Sequence, residues 1–199
     1  MKDFNQATFC FLGRSGSGKD TQAKLLQNFL DEEKYKTIDV STGDQGRALK
    51  GTNSIVGRYI KNILDRGGLF DDWLAISLWM CIFQNKLFND EIIIFPSSPR
   101  YTKEAEVMDE LMIGSGRSKP IPIYLDIHDE EANKRLLNRG RADDTHKVIA
   151  KRLSWFEPQV LPIVKYYGKR VVTVDGIGSE QEVHQRIMDA INNYDNGQS

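Results

Sequence analysis

Between the apolar run Ala7 to Leu12 (ATFCFL) and the helically spaced Ala23, Leu25, Leu26, Phe29 and Leu30 lies Gly13-Arg14-Ser15-Gly16-Ser17-Gly18-Lys19. A short run of strand formers that stops at a glycine reads as a buried parallel strand, and the periodicity beyond Lys19 reads as a helix. In that context the loop matches the glycine-lysine core of the Walker A pattern. Glycines let successive backbone N–H groups turn inward on phosphate oxygens, and the helix N-terminus adds a favourable dipole. Lys19 can then neutralise β and γ phosphates. One departure matters: Asp20 follows Lys19, and the hydroxyl comes one residue later at Thr21.

The rest of the chain alternates. Strands are predicted at Tyr35 to Val40, Glu91 to Phe95, Ile121 to Ile127 and Val171 to Val174. Helices are predicted after the cap at Ser41-Thr42-Gly43-Asp44, over Ile55 to Leu64 and Trp73 to Phe88, and over Thr102 to about Ile113. Further helices follow at Asp129 to Asn138, Asp144 to Tyr167 and Ser179 to about Tyr194, with Pro158 and Pro162 kinking or ending the long one. Such alternation predicts an α/β fold, a three-layer parallel sheet of about five strands with helices on both faces. Ligands in such sheets bind at the carboxyl ends of the strands. One domain over residues 1–199 is expected.

The formal net charge is -1 and no long like-charge block occurs, so neither a nucleic acid nor a membrane surface is an expected partner. The N-terminus lacks a signal-peptide pattern and no apolar run approaches about 18 residues, which points to the cytoplasm. Cys10 and Cys81 read as reduced core thiols. His128, His146 and His184 show no metal-ligand spacing. Trp73, Trp79 and Trp155 read as helix-face packing.

The loop GRSGSGKDTQ resembles the GxPGxGKGTQ loop of adenylate kinases and related nucleoside monophosphate kinases, and further segments match in order. Ser41-Thr42-Gly43-Asp44 with Arg47 resembles that family's acceptor-site STGD-x-x-R. Gly67 to Ile76 (GGLFDDWLAI) resembles its acceptor-covering segment, and Pro99-Arg100 the end of its DGFPR motif. Arg141-Ala142-Asp143-Asp144 with Arg152 resembles its R-x-DD and following KRL, and Val174-Asp175-Gly176 its last strand end.

The resemblance implies a P-loop kinase fold of the short-lid type, with a helical acceptor-binding insertion over about 41–72 and a very short lid over about 139–143. It implies ATP with Mg2+ as phosphoryl donor, a nucleoside monophosphate acceptor with AMP the default, and a monomer. Gly13, Ser15, Gly16, Ser17, Gly18, Lys19, Asp20, Thr21 and Gln22 would hold the donor, with Arg135 and Arg139 against it. Thr42, Arg47, Leu69, Phe70, Arg100 and Glu104 would hold the acceptor. Lys19, Arg100, Arg141 and Arg152 would carry catalysis. In-line transfer between two anions needs positioning and charge neutralisation, for which arginine's planar fork is suited.

Three departures qualify the resemblance. Pro96-Ser97-Ser98 replaces Asp-Gly-Phe, so the aspartate that orders magnesium waters is missing. The ion would then be held by the ATP phosphates, Thr21 and water, with Asp20 and Asp44 as outer candidates. Glu104 stands where the family usually has a glutamine that recognises adenine. A carboxylate accepts but cannot donate unless protonated, which suits guanine's N–H groups better. Only Gly140 separates Arg139 from Arg141, so a short lid excludes water poorly. Two alternatives stay open: a P-loop kinase for another small acceptor, and a catalytically weak module that binds or senses nucleotides.

Overall fold

β1 (Thr8–Gly13) is buried along its whole length, flanked by parallel strands on both sides and covered on both faces. The computed structural model describes residues 3–140 and 145–194. β1 pairs with β3 (Ile92–Phe95) on one side and β4 (Ile121–Asp126) on the other. β2 (Thr37–Asp39) lies outside β3 and β5 (Val172–Asp175) outside β4, so the all-parallel order is β2-β3-β1-β4-β5. β2 is shorter than the strand-like stretch Tyr35 to Val40, because its ladder with β3 spans only Thr37 to Asp39.

Alternate side chains along the strands serve opposite layers. Phe9, Phe11, Ile94, Ile123 and Leu125 pack against Leu26 and Leu30 of α1 (Lys19–Glu32) and Val183 and Ile187 of α9 (Glu180–Asn192). Cys10, Leu12, Ile93 and Phe95 face the other way. They meet Trp79 and Phe83 of α4 (Asp72–Lys86), Met108 and Met112 of α5 (Thr102–Gly114), and Ile163 and Tyr167 of α8 (Leu161–Tyr167). The expected three-layer α/β sandwich is therefore the fold.

Between β2 and β3 the chain builds α2 (Thr42–Lys50) and α3 (Ile55–Asp65) before α4. Ser41 and Ser54 cap them, their hydroxyls accepting from the N–H groups of Asp44 at 3.3 Å and Gly57 at 2.9 Å. A small separate core of Ile60, Phe70, Leu74 and Leu78 binds this group together. Beyond β4 come α6 (Asp129–Arg139) and α7 (His146–Leu153). Pro158 then falls in a π-helical turn, Phe156–Val160, and Pro162 lies in the first turn of α8, where a missing N–H is tolerated. The prolines break the long helical pattern as expected.

Two sequence expectations need correcting. Cys10 is buried, but Cys81 is exposed. It lies on the stripe of α4 that also carries Trp73 and Ser77, four residues apart, and all three face outward. Trp73 is 53% exposed and leans on Tyr59 with ring centroids 6.0 Å apart, whereas Trp79 is the core tryptophan.

Candidate active site

The chain leaves β1 at Gly13, in a left-handed conformation (φ 138), and passes so close to β4 that a Cβ there would stand 2.6 Å from the Leu125 carbonyl oxygen. Gly16 (φ 87) is equally constrained from α6, whose Ala132 carbonyl oxygen would meet a Cβ at 2.7 Å. Only glycine fits both places. Gly18 is the N-cap of α1 and supplies no side-chain cap, and the N-terminus of the helix faces the cavity described below.

Lys19 doubles back over this loop. Its Nζ donates to the carbonyls of Gly13 at 2.9 Å and Arg14 at 2.7 Å. Burial pushes its ammonium down to about 8; Asp20 opposes the shift, and Arg100 and Arg139 add to it. Arg14 pairs with Asp129 at the start of α6, and its guanidinium carbon lies 3.4 Å from the centre of the Phe156 ring. The loop is thereby tied to α6 and to the π-helical turn.

A cavity of about 1420 Å³ opens over the carboxyl ends of the strands. Ser15, Gly16, Ser17, Gly18, Lys19, Asp20, Thr21 and Gln22 line it from the loop and α1. Arg135 and Arg139 of α6 and Arg152 of α7 line it as well. Thr42, Arg47, Phe70, Arg100 and Glu104 enter the same cavity from α2, the turn before α4 and the start of α5. Gly13 and Leu69 line a smaller cavity beside it, with Trp155. Arg141, Asp143 and Asp144 lie outside the described residues.

The neighbours of these side chains differ. Arg135 is held firmly, its Nε donating to Glu131 at 2.7 Å and its Nη2 to the Gly176 carbonyl at 3.0 Å. Gln22 is buried and donates to the Glu180 carbonyl at 2.9 Å. Arg47 is half exposed and pairs with Asp44. Arg100 donates through Nε to the Ser97 carbonyl at 2.9 Å and through Nη2 to the Ser97 hydroxyl at 3.3 Å. Its backbone N–H donates to Glu104 Oε2 at 3.2 Å.

Glu104 is only 1% exposed, and its Oε1 has no partner. Burial lifts its carboxyl to about 8, against the N–H and guanidinium of Arg100. Thr42 is buried too, its hydroxyl 3.5 Å from that of Ser98. No group of three or more His, Cys, Asp or Glu side chains gathers as metal ligands among the described residues.

Two features escaped the reading of the sequence. Ser97, which stands in a departed motif, anchors Arg100 through both its carbonyl and its hydroxyl. Trp155 lines the cavity, and its place three residues after Arg152 was the available signal. Across the mouth, Lys151 Nζ donates to the Arg66 carbonyl at 2.9 Å, and Val148 Cγ1 would lie 3.1 Å from a Cβ on Gly67. α7 thus leans on the turn between α3 and α4.

The family model described as adenylate kinase matches residues 11–172. The chain belongs to the adenylate kinase family. It is 32% identical over 189 residues to the adenylate kinase of Stenotrophomonas maltophilia (strain K279a), covering 90% of this chain and 96% of that one. It is 33% identical over 195 residues to an adenylate kinase of Thermus thermophilus, covering 95% and 98%. It is 30% identical over 188 residues to that of Parabacteroides distasonis, covering 91% and 95%. As an adenylate kinase family member it is an ATP-dependent phosphotransferase, a nucleoside monophosphate kinase that uses ATP with Mg2+ as its substrate complex. No helix among the described residues is long and apolar enough to cross a membrane.

Proposed function

We propose that this adenylate kinase family member transfers the γ-phosphoryl of ATP-Mg to AMP, as a cytoplasmic monomer and in one domain. The loop Gly13 to Lys19 with Thr21 and Gln22 cradles the donor phosphates, and Arg135 and Arg139 lie along the donor. Residues of about 41–72 form the acceptor insertion, in which Thr42, Arg47, Leu69 and Phe70 meet the acceptor together with Arg100 and Glu104. Lys19, Arg100, Arg141 and Arg152 neutralise the charge that moves between the two phosphates, with 139–143 as the short lid.

The observation that supports this reading is the shared cavity: phosphate-cradling backbone and Lys19 enter from one side, Arg47 and Arg100 from the other, and Arg152 with them. Two nucleotides held there in line react with little covalent help from the protein. Asp20 lies beside the cradle, so it serves the magnesium's outer waters in place of the missing strand-end aspartate.

ADP production from ATP-Mg with AMP, GMP, CMP, UMP and dTMP in turn, against an acceptor-free control and Lys19→Ala, tests the reading. Lys19-dependent turnover highest with AMP is expected. Turnover that no monophosphate raises above the control would overturn it.

A further inference from the structure

The reading of Glu104 as an acceptor residue leaves its chemistry open, and the structure constrains that chemistry. Glu104 sits in the first turn of α5, where one carboxyl oxygen is already engaged, Oε2 accepting the Arg100 N–H at 3.2 Å. The other oxygen, Oε1, is buried and has no hydrogen-bond partner. A buried polar atom without a partner in a native protein calls for an explanation.

Nor is the carboxyl neutralised by a cation. The nearest guanidinium, that of Arg100, turns away to Ser97. No ion pair with Glu104 occurs among the described residues. The remaining ionisable neighbours are Asp72 on α4, which disfavours a negative charge there, and Tyr101, the N-cap of α5. A carboxyl in that setting is held as the neutral acid near neutral pH, with its charge favoured by Arg100 alone.

Because Oε2 is already an acceptor, the proton of the neutral acid belongs on Oε1. Glu104 lines the cavity together with Thr42, Phe70 and Arg100. An adenine offers a ring nitrogen, N1, that only accepts, whereas a guanine offers a ring N–H at the same place. We infer that Glu104 is a proton-dependent selector of the acceptor base: as a neutral acid its Oε1 hydroxyl donates to adenine N1, and as a carboxylate the same atom accepts from the guanine ring N–H. The inference rests on the nucleoside monophosphate reading given above. It also accounts for how a glutamate can stand in for a glutamine, since a neutral carboxyl reproduces the amide's pairing of one donor with one acceptor.

The test is calorimetric binding of AMP and of GMP to the full chain at pH 6.5 and pH 9.0, for the natural protein and for Glu104→Gln. With a midpoint near 8, about a tenth of Glu104 stays protonated at pH 9.0, so AMP should bind about tenfold more weakly there. GMP should bind more tightly at pH 9.0 than at pH 6.5. Glu104→Gln carries no proton to lose, and its AMP affinity should change less than about twofold. AMP binding to the natural protein at pH 9.0 should also take up close to one proton, read from heats in buffers of different ionisation enthalpy; this arm needs no variant. An AMP affinity with the same pH dependence in both proteins, or binding without proton uptake, would overturn the selector. Absence of any acceptor-dependent ADP formation would instead sink the kinase reading itself, a separate result.

Discussion

The ring of Phe70 occupies the space where a Cβ on Gly46 would stand, with Cζ only 2.1 Å from that position. α2 and the cavity wall are fitted to each other through the absence of one methyl group. Gly46→Ala must therefore push Phe70 out of the small core it shares with Ile60, Leu74 and Leu78. The expected result is a loss of about 1–3 kcal/mol in stability, typical of overpacking. The KM for AMP should rise several-fold while the KM for ATP moves little. Steady-state kinetics with each substrate varied in turn check this.

Lys19 supplies a pH prediction. With its ammonium at about 8 before nucleotide binds, a growing fraction is neutral above that pH. The charged form is the one that holds phosphate, so ATP affinity should fall as pH rises through about 8 and be steady below it. Lys19→Ala should abolish that dependence and lower kcat by a factor on the order of 100 to 1000, as for loss of one electrostatic contact to a transition state. Equilibrium titration with ATP from pH 6.5 to 9.5 reads the first effect, and turnover at pH 7 the second.

Asp20→Gly tests the role proposed for Asp20 in place of the missing strand-end carboxylate. The magnesium concentration needed for half-maximal turnover should rise several-fold, with the KM for AMP unchanged. An unaltered magnesium requirement would remove Asp20 from that role and leave it as a residue that complements the α1 dipole.

Glu104 also bears on stability, with a definite sign. Its folded-state value of about 8 lies above the ordinary 4.5, so between those values the native protein keeps a proton that the unfolded chain releases. Stability should therefore decline as pH rises from about 4.5 to about 8 and lose nothing further from this group above that. Glu104→Gln should be no more stable than the natural protein near pH 4.5 and about 1–3 kcal/mol more stable at pH 8. Thermal melts of both proteins across that range decide it.

Asp109 and Arg170 form a buried two-point ion pair, with Nη1 3.0 Å from Oδ1 and Nη2 2.5 Å from Oδ2. Tyr166 adds a hydroxyl donor to Oδ2 at 3.1 Å. Asp109→Ala would leave a guanidinium buried without its partner, at a cost of about 3–5 kcal/mol. Urea unfolding should show that loss, while KM values for both nucleotides at 25 °C stay within about twofold because the pair lies outside the cavity.

What the sequence disclosed depends on how local each signal is. The glycine loop, the Ser41 cap and the run EIIIF before Pro96 each carry their meaning within a few residues, and all sit where they were expected. Asp109 and Arg170 are 61 residues apart, and no spacing pairs them. Cys81 looked like a core thiol because α4 is apolar on most of its surface. Ser77 and Asn85, one turn on either side of it, marked the outward stripe. The burial of Glu104 was equally hidden, since a glutamate in a first helical turn reads as a solvated residue that complements the dipole. Its place in the cavity wall arises from the fold of α4 and α5 together.

The contact between Lys151 and Arg66 has a bearing on the timing of turnover. It uses the carbonyl of Arg66 rather than its side chain, and Lys151 is exposed to water. A charge-assisted bond open to water is worth about 1–2 kcal/mol, a few times thermal energy. It keeps the two banks of the cleft in register and is no bolt across it. Opening the mouth therefore costs one water-exposed hydrogen bond and the packing of Val148 on Gly67, and no ion pair described there has to break.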